Sequence, residues 1–181
     1  PSTSSAGRLF DGVAALAGIR HNVSYEGQAA VELEWLAAQT GPAGHYPYAL
    51  EPIGADASGP LVIDTRPLIA AVAGGVRAQR GPATIARRFH STLVEIIIDV
   101  CRRLRAATGC DAAALSGGVF MNALILQESA MRLEQDGFRV HRHRRVPPND
   151  GGLSLGQLAV AAARQSPPRG EESAHVPGNS W

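Results

Sequence analysis

Apolar positions recur along this chain at two periods, and the switches between the periods mark its elements. Leu9, Val13 and Leu16 fall at helical spacing behind Ser5, which predicts a helix over 6–17 stopped by Gly18. A second helix is expected over 26–39, opened by the turn Tyr25-Glu26-Gly27-Gln28 and closed by Thr40-Gly41-Pro42. Residues 41–60 are rich in Gly, Pro, Ala and Tyr and read as a loop, with short strands near 48–53 and 60–63. Pro67 suits the first turn of a helix running to about residue 78, where Gly81-Pro82 interrupts. The longest helix is expected over 83–108. Ile85, Phe89, Leu93, Ile96, Val100 and Leu104 form one stripe, widened by Val94, Ile97 and Cys101, and so broad a stripe predicts burial against a sheet.

Beyond Gly109 the apolar run 112–115 reads as a buried strand. Gly117-Gly118 then turns into a helix over 121–135, ended by Asp136-Gly137. Residues 138–144 form a further strand, with Phe138, Val140 and Arg142 on one face. A Pro147-Pro148 loop leads to the last helix, 153–164, and 166–181 reads as a flexible C-terminal tail. This order of elements is that of an α/β or α+β protein, not a helical bundle.

Composition narrows the chemistry. The chain has 181 residues, enough for one domain, and is 45% hydrophobic and 5% aromatic, so its core must be largely aliphatic. The net charge of +1 gives no electrostatic case for a nucleic-acid partner. All 17 basic residues are arginine, which excludes a P-loop lysine, a Schiff-base lysine and a lysine general base. Any phosphate must therefore be held by backbone amides and arginine. Cys101 and Cys110 form no C-x-x-C pair, so a reduced, cytoplasmic setting is expected rather than a disulfide framework or structural zinc. No stretch reaches the roughly 20 apolar residues of a membrane span, and no membrane partner is expected. Residue 1 is proline, which reads as a chain beginning inside a longer product.

Two glycine turns carry the candidate site: Leu115-Ser116-Gly117-Gly118-Val119-Phe120-Met121-Asn122 and Val146-Pro147-Pro148-Asn149-Asp150-Gly151-Gly152. Each stands where an apolar strand hands over to a helix, a place where backbone N–H groups and a positive helix end can meet an anion. Gly117 and Gly118 either contact phosphate or merely ease the turn. Asn122 either faces a ligand or caps the following helix. Asp150 either caps a helix or offers a carboxylate to a metal or nucleotide at the end of a strand. Asp11, odd in an apolar helix, is either solvent-exposed or aimed at ribose hydroxyls. His141 and His143 share a strand face at a spacing that admits chelation, although arginines around them favour a solvated surface. His90 reads as a hydrogen-bonded, half-buried histidine, and Arg142, Arg144 and Arg145 as surface charge.

Taken together, these segments resemble a known family. The residues are Thr3 to Asp11, Tyr25-Glu26-Gly27-Gln28-Ala29-Ala30, Arg88-Phe89-His90, the first glycine turn, and the second as far as Gln157. They look like the C-terminal part of the HypF-type carbamoyltransferases of nickel–iron hydrogenase maturation. The resemblance implies an α/β lobe of the actin/hexokinase/Hsp70-like (ribonuclease H-like) kind, one lobe of a two-lobed nucleotide-binding fold. It implies residues 1–165 as second lobe plus returning helix, an adenine nucleotide (carbamoyl-adenylate or ATP) and a divalent metal ion as cofactors, and a HypE-like acceptor protein as partner. Within such proteins an upstream YrdC-like domain makes carbamoyl-adenylate from carbamoyl phosphate and ATP, and the carbamoyl group passes to the acceptor's C-terminal cysteine. Carried over by motif, Asp11 and Gly27 would contact the nucleoside, Gly117, Gly118 and Asn122 would line its phosphate and ribose side, and Asp150 would ligate the metal.

The chain departs from the family in one respect that matters. The family's histidine pair spaced H-x-x-x-H, which supplies further metal ligands, is absent: none of the six histidines stands four positions from another. The YrdC-like, zinc-finger and acylphosphatase-like regions are absent as well. No carbamoyl transfer is expected from this chain alone, and an exposed apolar patch is expected where the opposite lobe would pack. A small-molecule O-carbamoyltransferase lobe and a non-catalytic nucleotide- or partner-binding module are the alternatives.

Overall fold

In the computed structural model, residues 5–52 and 61–165 are described. The expected tail over 166–181 lies outside them, as do residue 53 of the first predicted strand and residue 60 of the second.

The first helices form as the periodicity predicts: α1 (Ala6–Leu16), α2 (Gln28–Ala38) and α3 (Arg66–Arg77). Between α2 and α3, the strands β1 (Ala49–Pro52) and β2 (Leu61–Asp64) pair antiparallel, with Leu50 opposite Ile63. The long α4 (Pro82–Thr108) starts with Pro82 in its first turn, where a missing N–H costs nothing, and ends on Gly109 at φ 73°, with the Gly109 N–H bonded to the Arg105 carbonyl. Then follow β3 (Ala112–Leu115), a 3₁₀ turn (Gly118–Met121), α5 (Ala123–Gln135), β4 (Arg139–Arg142), a second 3₁₀ turn (Asp150–Gly152) and α6 (Leu153–Gln165). β3 and β4 pair in parallel, Ala113 beside Val140 and Leu115 beside Arg142, with α5 as their crossover.

α4 belongs to two cores. Its N-terminal half buries Ile85, Ala86 and Phe89 against Phe10, Val13 and Ala14 of α1, Ala29, Leu33 and Ala37 of α2, and Leu68 and Val72 of α3. Its C-terminal half buries Val94 and Ile98 against Ala113 and Leu115 of β3, Ala130 and Leu133 of α5, and Phe138. Burial against a sheet was therefore half of the answer: two short strands cannot cover a 27-residue helix, so other helices cover its first half. Leu104, placed in the stripe by its spacing, is 51% exposed because α4 outruns the sheet. Arg142 is likewise exposed, as β4 runs out from over the core beyond buried Phe138 and half-buried Val140.

Ion pairs fix how α5 lies on α4. Arg132 donates two hydrogen bonds, 2.7 and 2.9 Å, to the Glu95 carboxylate, which holds Glu95 below the usual carboxylate range. Arg87, buried on α4, donates to Glu128 at 2.6 Å. α6 is different. None of its residues is buried, and Leu153, Leu155, Leu158 and Val160 stand out into solvent.

Phe89 lies at the centre of the first core, edge-on to Phe10 with ring centroids 4.9 Å apart. Phe89→Ala is expected to lower unfolding stability by about 3–5 kcal/mol in urea titration, whereas Leu104→Ala costs under about 0.5 kcal/mol. Equal losses at the two positions would contradict this division of the helix.

Candidate functional site

Parallel strands present their carboxyl ends to one side, and that is where an open α/β sheet receives a ligand. Ser116 follows the end of β3 and His143 the end of β4, and their side chains meet, Ser116 Oγ to His143 Nε2, at 2.8 Å. One residue on, the N–H of Gly117 donates to the Pro148 carbonyl at 3.0 Å. The two glycine-rich loops are thereby joined by their backbones. Beside this junction a cavity of about 630 Å³ opens, lined by Ser116, His143, Pro148, Asn149, Gln157 and Arg164 among others.

Gly117 has φ 97° and ψ 165°, a conformation essentially closed to other residues. It lets the chain leave β3 and enter the 3₁₀ turn at once. Within the turn the Phe120 N–H reaches back to the Gly117 carbonyl, and the Asn122 N–H to that of Val119. The N–H groups of Gly118 and Val119 meet no acceptor among the described residues. Gly118 is exposed and Val119 half-buried.

The first turn of α5 is closed instead. Asn122 caps it, Oδ1 accepting from the Ile125 N–H at 3.0 Å, while Glu34 of α2 accepts from Ala123 and Leu124 through Oε1 at 2.7 and 3.4 Å. An internal carboxylate already occupies this helix terminus, so the first N–H groups of α5 are not open to an external anion. Glu34 escaped sequence reading because its partners lie 89 and 90 residues away and nothing local distinguishes it on α2.

His90 completes the cap from beneath. It is 0% exposed, and edge-on to Phe10 and Phe89 at 5.7 Å from each. Its Nδ1 lies 2.8 Å from the Ala86 carbonyl and its Nε2 2.9 Å from Asn122 Nδ2. A carbonyl can only accept, so Nδ1 carries the hydrogen and Nε2 accepts from the Asn122 amide. Burial pushes the imidazole down to about 4, the Arg87 charge adds to this, and the Ala86 hydrogen bond opposes it. His90 is therefore neutral and fully buried, not half-buried.

The remaining candidates make no hydrogen bond to this turn among the described residues. Asp11 is half-buried on α1, 3.5 Å from Arg8, and no hydrogen bond links it to the glycine turns among the described residues. Gly27 takes φ 82° where α2 begins, a left-handed position that requires glycine. Asp150 is exposed at the start of the second 3₁₀ turn, and the cap there is Asn149, whose Oδ1 accepts from the Gly151 N–H at 3.1 Å. The capping role considered for Asp150 thus falls to its neighbour, because Asn149 holds the extended backbone that a cap needs. Gly152 is required by close approach: a Cβ there would lie 2.9 Å from the Pro147 carbonyl oxygen. No group of three His, Cys, Asp or Glu that could hold a metal occurs among the described residues, and of the pair His141 and His143 the Nε2 of His143 faces Ser116. None of the described helices is long and apolar enough to cross a membrane.

The chain matches the family described as "Carbamoyltransferase, Kae1-like Domain, second subdomain" over residues 1–157. It is 39% identical over 166 residues to the carbamoyltransferase HypF of Synechocystis, covering 91% of this chain and 20% of that protein. With the carbamoyltransferase HypF of Rhodobacter capsulatus it shares 41% identity over 165 residues, again 91% and 20%. Its backbone is similar to the crystal structure of a full-length HypF in the phosphate- and nucleotide-bound form, with a TM-score of 0.81, 35% identity, and 91% of this chain and 21% of that one covered. The chain thus spans about a fifth of the length of these relatives.

The low proton affinity of His90 has a measurable consequence. Unfolded, the ring titrates near its ordinary 6.5; folded, it stays neutral down to about 4. Between these values the unfolded chain holds the extra proton, so the His90 contribution is complete above 6.5 and is lost as pH falls, by up to about 1.4 kcal/mol per pH unit. Urea unfolding from pH 7 to 4.5 should therefore show a steeper acid loss in the native chain than in His90→Gln. Parallel curves would contradict the neutral assignment.

Proposed function

The chain belongs to the carbamoyltransferase family of HypF, within the second subdomain of its Kae1-like domain, and on that footing we propose that it holds the phosphate side of an adenine nucleotide on the Gly117–Val119 turn. The single observation that carries this reading is the pair of unpaired N–H groups at Gly118 and Val119, on a turn pinned to the second glycine loop by the Gly117–Pro148 bond. Two adjacent backbone donors beside the ends of parallel strands suit an anionic oxygen, and in a chain without lysine phosphate is left to backbone amides such as these and to arginine. A related HypF has been crystallised with phosphate and nucleotide, which adds support.

Residues 1–165 would then form the second lobe, with its returning helix, of a two-lobed actin/hexokinase/Hsp70-like fold. The exposed apolar side chains of α6 and the coverage of one fifth of the relatives favour that placement. Within the whole protein the reaction would be transfer of a carbamoyl group from carbamoyl-adenylate to the cysteine thiolate of a HypE-like acceptor. The role of this chain is to bind and orient: donors fixed before the ligand arrives hold the phosphate of the departing AMP in place while the carbamoyl carbon is attacked. Neither cysteine stands at the turn, Cys101 being half-buried on α4 and Cys110 exposed beyond its end, so the accepting thiol would come from the partner protein. Gly27 and Asp11 would bear on the nucleoside, and the unspent N–H of the Asn122 amide on the ribose or phosphate side.

A divalent ion does not fit the described residues. Asp150 is a single exposed carboxylate with no companion ligands among the described residues.

Proline is tolerated in the first position of a helical turn, so Gly118→Pro removes one N–H donor with little cost to the fold, and Gly118→Ala keeps that donor with no atom within 4 Å of the new Cβ. Calorimetric titration with ADP and AMP, with and without Mg²⁺, should show saturable binding by the native chain and by Gly118→Ala. Binding by Gly118→Pro should be weaker by about tenfold to a hundredfold, the worth of one hydrogen bond to a charged group. Equal affinities of the proline variant and the native chain would overturn the placement of the phosphate. A folded native chain that binds neither nucleotide would overturn the turn as a self-sufficient site.

A further inference from the structure

The Ala86–His90–Asn122 chain of hydrogen bonds ends at the turn to which the nucleotide is assigned, and each link has only one workable polarity. The Ala86 carbonyl accepts, so His90 Nδ1 must donate. A neutral ring then has a bare lone pair at Nε2, which Asn122 Nδ2 fills with one of its hydrogens at 2.9 Å. That choice turns the Asn122 oxygen toward Ile125, whose N–H needs an acceptor at 3.0 Å.

The two faces of an asparagine amide are nearly equal in shape, so packing alone does not decide which atom caps the helix. Flipped, Asn122 would set its NH₂ against the Ile125 N–H, donor to donor, and its oxygen against the His90 lone pair. Protonating Nε2 would relieve only the His90 side of that flip, leaving the Ile125 N–H unmet, and a fully buried ring edge-on to Phe10 and Phe89 resists a charge.

We infer that His90 is a positioning residue: through the single acceptor at Nε2 it selects the orientation of the Asn122 amide, and through Asn122 it sets the Gly117–Val119 turn against the start of α5. It touches no ligand itself. The inference rests on the proposed nucleotide site for its functional consequence, and on hydrogen-bond polarity alone for its structural half. It also accounts for a histidine, rather than one more aliphatic residue, in the centre of an aliphatic core: a leucine at 90 would leave the Asn122 NH₂ facing no acceptor.

The test uses the full chain. Imidazole ¹⁵N spectra of the native protein should show the Nδ1–H neutral tautomer between pH 5 and 8; an Nε2–H tautomer would overturn the inference without any variant. His90→Gln can place a carbonyl oxygen where Nε2 stood, and should keep both the slow exchange of the Ile125 amide and the ADP affinity within about threefold of native. His90→Ala offers no acceptor, and should speed Ile125 exchange and weaken ADP binding by about tenfold each. Should the alanine variant fail to fold, Asn122→Asp supplies the same decision. An oxygen then faces Nε2, and the ring should take up a proton at higher pH than in the native chain; an unchanged titration would contradict the coupling. Native-like Ile125 exchange and ADP affinity in folded His90→Ala would also overturn the inference. If the native chain binds no ADP, the nucleotide reading falls, while the tautomer and exchange results still decide whether His90 positions the turn.

Discussion

The first N–H groups of α5 must be satisfied without closing the glycine turn above them, and the arrangement around α5 follows from that requirement. Ala123, Leu124 and Ile125 are met by Glu34 and Asn122, which come from α2 and from the residue just before the helix. With those donors sealed, the N–H groups of Gly118 and Val119 are the ones on the turn that meet no acceptor among the described residues. The seal is also what holds three elements together: α2 through Glu34, α4 through His90, and α5 through its cap. The exposed turn is thereby tied to the buried residues of the first core.

α4 makes that anchoring possible. Its N-terminal half gives the helical core its centre and delivers His90 to the cap, and its C-terminal half carries the two-stranded parallel sheet from which both glycine loops spring. The Arg132–Glu95 and Arg87–Glu128 pairs fix α5 along it, so the turn at the head of α5 has little freedom to slide. Backbone pairing of Gly117 with Pro148 then sets the distance between the two loops.

Much of this was legible in the sequence. Period and punctuation located every helix to within about two residues, because Gly18, Gly109, Asp136-Gly137 and Pro82 act locally on φ and on N–H donors. The two glycine turns stood out for the same reason. What could not be read was long-range. Nothing near Glu34 announces that it caps a helix some 90 residues on. Asp150 was the cap considered from the sequence, and the extended backbone at 149 gives that role to its neighbour instead. The stripe on α4 pointed to burial but could not say that helices, not strands, would cover its first half. His90 looked half-buried because its burial depends on Phe10, eighty residues upstream.

The most direct test of the account is to follow the backbone amides of ¹⁵N-labelled chain while AMP is added. The Gly118 and Val119 resonances should move together and saturably, with Ala123 and Leu124 nearly still because Glu34 already holds them. Movement at Ala123 and Leu124 with Gly118 and Val119 unchanged would mean that phosphate displaces Glu34 from the helix end, and would contradict the open turn as the site.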